Sequence, residues 1–313
     1  MTSRLSWRHW ALVVAAGIIA RCTGVLAQVP FATSSPAAAT DLFAGSATPQ
    51  LVAKQFKFTE GPAVDRAGNV FFTDQPNNKI WKYSTAGKLS VFMDPAGRAN
   101  GMYFDQKGNL IVCADEKNQL WSISPSGKVT VLLDQLDGHH FNGPNDVWVD
   151  PKGGLFFTDP YYQRDYWTRT APELPGQYVY YLGPGQKQPI TVETTLKKPN
   201  GIIGTHDGRT LYVADIDGNK TYRYQVGTDG TLTNRQLFVP QGSDGMTLDE
   251  RGNVYLTGKG VTVYNPAGQQ VAHIDVPGDW TGNICFGGKD RKTLFITASE
   301  AVYVLPMRVK GGQ

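Results

Sequence analysis

Cysteine is scarce in this chain, with three in 313 residues, and no two form a C-x-x-C pair. That excludes a disulfide-dense scaffold and argues against a structural zinc site of the paired-cysteine type. Charge is thin as well. Asp, Glu, Lys and Arg make up 18% of the residues, too few for a coiled coil or a charged disordered protein. No segment carries the apolar period of a long amphipathic helix. G-x-S-x-G is missing, which counts against a serine esterase built on a nucleophile elbow. One apolar run stands out, at residues 10–20. It is short for a bilayer span and is closed by Arg21.

That run has the flanks of an export signal. Arg4 and Arg8 precede it, and Val25-Leu26-Ala27 follow with small residues where a peptidase would cut. Residues 1–27 therefore read as a signal peptide, and the protein as exported, periplasmic or secreted, with no stable membrane anchor. The segment holds three of the 30 basic residues and none of the 27 acidic ones, so the remainder is balanced. No basic stripe is left to bind nucleic acid, and no obligate protein partner is evident. Residues 28–49, rich in Ala, Ser, Thr and Pro, read as a flexible leader, and residues 308–313 as a C-terminal tail. Cys113 and Cys285 sit in apolar, strand-like runs and read as buried free thiols.

Glycine (35 residues), proline (19) and aromatics (11%) are plentiful and recur in a pattern. Six segments open on an oxygen-bearing side chain and enter a short apolar run: Glu60-Gly61-Pro62, Asn100-Gly101-Met102, Asn145-Asp146-Val147, Asn200-Gly201-Ile202, Asp244-Gly245-Met246 and Thr281-Gly282-Asn283. A turn word follows in five of them, such as Arg66-Ala67-Gly68-Asn69, and three further strand-like runs complete each unit. The anchors are 40, 45, 55, 44 and 37 residues apart. Four strands in roughly 40–50 residues is propeller spacing. The last repeat has only three runs, while one unassigned run, 51–58, precedes Glu60. The fold expected is all-β: a six-bladed β-propeller over 50–307, its ring closed by the N-terminal strand completing the last blade.

In a propeller the innermost strands line a central channel, so the six anchors converge at one mouth. Two carboxylates and several amide oxygens facing one point need a partner, and a hard divalent cation such as Ca²⁺ supplies it. The bland alternative is that these side chains cap strand ends; it stays open for Asn100 and Thr281. The 55-residue gap holds an insertion, 159–176, whose Tyr161, Tyr162, Arg164, Tyr166 and Trp167 read as a lid able to stack on a ring. Trp81 and Trp121, at one recurring strand position, read as core.

The ordered words Glu60-Gly61-Pro62, Gly143-Pro144-Asn145-Asp146, Phe157-Thr158-Asp159-Pro160, Pro199-Asn200-Gly201, Ser243-Asp244-Gly245-Met246 and Cys285-Phe286-Gly287-Gly288-Lys289 resemble the senescence-marker-protein/gluconolactonase/luciferin-regenerating-enzyme family, which includes regucalcin and bacterial gluconolactonases. The resemblance implies one divalent metal, Ca²⁺ first, with Mg²⁺, Mn²⁺ or Zn²⁺ as alternatives, held by Glu60, Asn145, Asn200 and Asp244. It implies hydrolysis of a small-molecule sugar lactone such as glucono-1,5-lactone, with Asp244 as general base and Asn145 sharing a catalytic and substrate-binding role. A metal beside Asp244 should lower its pKa. Asn100, His140 and Tyr161 are further substrate-binding candidates. Regucalcin-like members carry an Arg just before the counterpart of Asn145. Here residues 138–144 contain none; His139 and His140 are candidates to replace that contact or shuttle protons, with an ordinary exposed loop as the equal alternative. The alternatives are phosphotriester or other ester hydrolysis at the same site, or a non-catalytic ligand-binding propeller with a structural metal.

Overall fold

The computed structural model describes residues 41–312; the expected signal peptide and most of the expected leader lie outside them. Six four-stranded antiparallel sheets account for nearly all regular structure. In the first blade the strands are Thr59–Val64, Val70–Asp74, Lys79–Tyr83 and Leu89–Met93, ordered from the channel outward. The innermost strands of the next five blades are Ala99–Phe104, Val147–Val149, Pro199–Gly204, Met246–Leu248 and Thr281–Gly287. Each packs beside the innermost strands of both neighbours, and the last meets the first, so the ring is closed.

Closure is achieved as the sequence implies. Gln50–Lys54 pairs antiparallel with Ala301–Pro306, Gln50 opposite Val304 and Lys54 opposite Ala301, supplying the outer strand of the sixth blade. The turn words also work as expected. Asp65 Oδ1 accepts the N–H of Asn69 at 2.9 Å, and Gly68 takes a φ of +90° between them. Asp105, Asp150 and Asp249 repeat the same bond to the residue four positions on.

Between blades the core is apolar. Trp148 and Phe156 of the third blade pack with Ile202 and Leu211 of the fourth and Met246 and Val254 of the fifth. A threonine on the second strand adds a polar stitch: Thr73 Oγ1 donates to Asn100 O at 3.3 Å, Thr158 to Asn200 O at 2.7 Å and Thr257 to Gly282 O at 2.8 Å. Such a bond contributes about 1 kcal/mol net, against about 1.5–3 kcal/mol for one buried Leu or Phe. Packing therefore holds the blades together and the threonines set their register at the channel. Cys113 occupies the equivalent position in the second blade; it and Cys285 are buried free thiols. Trp81 and Trp121 are only partly buried, flanking these clusters rather than filling them.

Two segments expected to hang free are packed instead. Leu42 and Phe43 are buried beside Met307 and Val309, and the N–H of Arg308 donates to Leu42 O at 2.7 Å. Gly312 donates to Leu248 O at 2.9 Å. Composition made 28–49 look like a leader, but two large apolar side chains are enough to dock its described end.

Candidate active site at one mouth of the channel

Glu60, Asn100, Asn200 and Thr281 lie within the innermost strands, whereas Asn145 and Asp244 immediately precede theirs. Five of the six are buried, and Asp244 is partly exposed at the mouth. Close approach of neighbouring blades is possible because glycine follows most anchors. A Cβ on Gly101 would stand 2.4 Å from Asp146 Oδ1, and one on Gly282 2.4 Å from Glu60 Oε1.

Three carboxylates share this space. Glu60 Oε2 accepts the N–H of Gly61 at 3.0 Å. Burial, then the charges of Asp244 and Asp146, push its carboxyl well above the usual range. Asp146 accepts from Val147 N at 2.9 Å and Ile202 N at 3.4 Å, yet burial still carries it to about 7. Asp244 Oδ2 accepts from Trp280 Nε1 at 2.6 Å. Burial raises Asp244 to about 6, partly offset by the Trp280 and Asn200 donors. That is its value in the metal-free fold; the fall expected beside a cation concerns the loaded site.

Asn200 is the anchor with an unmet need. Its Nδ2 donates to Tyr162 Oη at 2.9 Å and also reaches the Asp244 carboxylate. Its Oδ1 is buried with no hydrogen-bond partner. Among the described residues no group of three or more His, Cys, Asp or Glu is placed to hold a metal. The donor set here is of another kind, two carboxylates with two amides. Glu60, Asn145, Asn200 and Asp244 are all oxygen donors, they carry excess negative charge, and one leaves a buried oxygen free. They fit a hard divalent cation.

The 159–176 insertion reaches this mouth through Tyr162 rather than Tyr161. Its base is fastened to Asp115, in the second blade and 1% exposed. Asp115 Oδ2 accepts from Arg164 Nε at 2.8 Å, Tyr166 Oη at 2.5 Å and Gln75 Nε2 at 3.2 Å, and its carbonyl from Trp167 Nε1 at 2.9 Å. Tyr161 instead bonds Gln163 and lines a surface hollow with Leu174 and Lys197. His140 is exposed on a short hairpin, Gln135–Leu136 with His139–His140; its N–H donates to Glu173 Oε2 at 2.8 Å. Neither Tyr161 nor His140 has a recorded contact with an anchor. Tyr161 was displaced by one residue of loop geometry, and His140 is held by its own hairpin.

The family model described as "SMP-30/Gluconolactonase/LRE-like region" matches residues 58–300. The chain belongs to this family. A gluconolactonase of Zymomonas mobilis is 29% identical over 284 residues, 81% of this chain and 79% of that protein. The solved structure of a gluconolactonase from Xanthomonas campestris superposes with a TM-score of 0.80 at 26% identity, covering 86% of this chain and 92% of the other. A calcium-binding regucalcin of Agrobacterium tumefaciens matches with a TM-score of 0.70 at 20% identity over 85% of this chain and 95% of its own, a likeness of fold.

Four residues at the mouth of this family member escaped the repeat reading. Asp146 and Asn283 form a second layer below the anchors, where the Asn283 amide lowers the pKa of both Glu60 and Asp146. A signal for Asp146 was present: it stands where the other five repeats have glycine. Tyr162 and Trp280 come from loops outside the repeat: the long gap pointed to the insertion that carries Tyr162, and no spacing rule points to Trp280.

Proposed function

We propose that this protein hydrolyses a sugar lactone such as glucono-1,5-lactone in a divalent-metal-dependent reaction at the anchor mouth, with Ca²⁺ as the first candidate ion. The observation that carries the reading is the unpartnered, buried Oδ1 of Asn200 beside the carboxylates of Glu60 and Asp244. Kinship with the Zymomonas mobilis and Xanthomonas campestris gluconolactonases supports the reaction class. Glu60, Asn145, Asn200 and Asp244 would hold the ion. Once bound, it supplies Lewis acidity toward the lactone carbonyl oxygen.

The remaining chemistry falls to side chains. Trp280 holds Oδ2 of Asp244 and so orients the carboxylate that takes a proton from water. Burial raises Asp244 in the metal-free fold and a bound cation would lower it again, so it stays ionised at neutral pH. The water oxygen bonds to the carbonyl carbon, the ring C–O bond breaks, and the proton passes from Asp244 to the departing ring oxygen. The product is the open hydroxy acid and Asp244 is restored. Asn145 orients the ring. We place this activity outside the cytoplasm, on the export signal read at residues 1–27.

The test is hydrolysis of glucono-1,5-lactone by the mature chain after EDTA stripping and after Ca²⁺ addition, corrected for spontaneous opening. Activity that vanishes and returns is the expected outcome. Full activity in EDTA, with no metal retained, would overturn the metal-dependent reading.

A further inference from the structure

We propose that Tyr162, carried by the 159–176 insertion, is a positioning residue that fixes the side-chain amide of Asn200 so that its Oδ1 faces the cation site. The inference rests on the metal reading above and extends it to a residue outside the six repeats.

An asparagine serves a cation only through its oxygen; turned over, it presents N–H groups to a positive charge. Orientation is therefore a requirement of the site, and the structure shows what sets it. Asn200 Nδ2 has two hydrogens. One goes to Tyr162 Oη at 2.9 Å, and the Asp244 carboxylate lies beside the same amide. With Nδ2 turned to Tyr162, Oδ1 is the amide atom left over, and it is buried and unpartnered. Asp244 alone would be a weak guarantee, because it is also a proposed ligand and base whose own hydrogen bonding changes as it works. Tyr162 is an acceptor that need not change.

Tyr162 is itself held. Two cations lie against its ring, Lys198 Nζ 4.7 Å and Arg164 Cζ 5.4 Å from the centroid. Arg164 is tied to buried Asp115, as are Tyr166 and Trp167. A chain of direct contacts thus runs from Asp115 in the second blade, through Arg164 and Tyr162, to Asn200 in the fourth. The insertion acts as a brace that holds a ligand from outside, as outer-shell groups do at metal sites.

The experiment is calorimetric titration of Ca²⁺ into the EDTA-stripped mature protein, wild type against Tyr162→Phe, with the melting temperature of each stripped form. Phenylalanine keeps the ring and its packing and removes only the acceptor. The Ca²⁺ Kd should rise roughly ten-fold, the usual loss for an outer-shell partner, with the stripped melting temperature nearly unchanged. Asp115→Asn, which slackens the brace from a distance, should raise Kd in the same direction by less. If Tyr162→Phe fails to fold, Asp115→Asn decides alone. Unchanged Kd in the variants, whether or not turnover falls, would overturn this inference and leave the metal reading intact. A wild type that binds none of Ca²⁺, Mg²⁺ or Mn²⁺ would overturn both.

Discussion

The two ends of the central channel are built from the same six strands and differ in almost every chemical respect. At the anchor mouth, Glu60, Asp146 and Asp244 crowd together under Tyr162 and Trp280, with an amide oxygen left unpaired. At the other mouth lies a cavity of about 580 Å³ walled by Met102, Ile202, Met246, Ile284 and Cys285, with Asp146 and Asn283 also on its lining. Its inner wall is largely apolar, and Arg66, Lys107, His206 and Arg291 stand around it. What distinguishes the anchor mouth is a set of buried carboxylates that raise one another's pKa beside an unpaired amide oxygen.

Asp244 and Met246, two residues apart, make the sharpest pair for breaking this comparison. Asp244→Asn keeps shape and Trp280 contact while removing the base, so kcat should fall roughly 10²–10⁴-fold with the fold retained. Turnover within a few-fold of wild type would end the base assignment. Met246→Ala trims a buried core side chain on the cavity side. It should cost about 2 kcal/mol of stability, the low end for such truncations because a hollow already adjoins it. Lactonase kcat/KM of the folded variant should be unchanged; a large loss there would mean the two mouths are not separate.

The anchor mouth should also betray itself in pH dependence. Asp244 stands at about 6 and Asp146 at about 7 because burial disfavours their charged forms, and Glu60 is raised for the same reason. A carboxylate whose folded pKa is raised stabilises the fold below its unfolded value, and that contribution is lost as pH rises through the folded value. The EDTA-stripped protein should therefore melt several degrees lower at about pH 8 than at about pH 5. Saturating Ca²⁺ should shrink the difference, since a cation relieves the repulsion. Stability that rises over this range without metal would mean the acids are not the dominant strain.

Much of the ring was legible in the sequence, because repetition averages out the ambiguity of any single strand. Six anchors in register located the mouth, and the Asp-x-x-Gly-Asn turns fixed the hairpins. What escaped depends on contacts without a period. Tyr162 differs from Tyr161 only in which way an irregular loop turns. Trp280 stands one residue before an anchor, where the repeat prescribes nothing. Leu42 and Phe43 were hidden in a segment whose average composition is polar and small. Asp146 was readable in principle, as the one acid in a column of glycines, but its neighbour Asn145 drew the attention. The rise of Asp244 in the metal-free fold was not legible either, because desolvation depends on burial that no local motif reports.

The smallest expected effect concerns His140. In the sequence it occupies the stretch where regucalcin-like members carry a substrate-holding Arg, and it reads as that group's replacement. The structure gives its backbone N–H to Glu173 of the insertion and sets its exposed ring 3.4 Å from the carbonyl of Asp134. A side chain tied to its own loop and open to water has little left to offer a substrate at the anchor mouth. His140→Ala should therefore leave kcat/KM for glucono-1,5-lactone within about two-fold of wild type, the size of an ordinary surface substitution. A rise in KM of ten-fold or more, with kcat retained, would instead bring the hairpin into the substrate site. The boundary between the charged mouth and its surroundings would then have to be redrawn to include the second blade's outer loop.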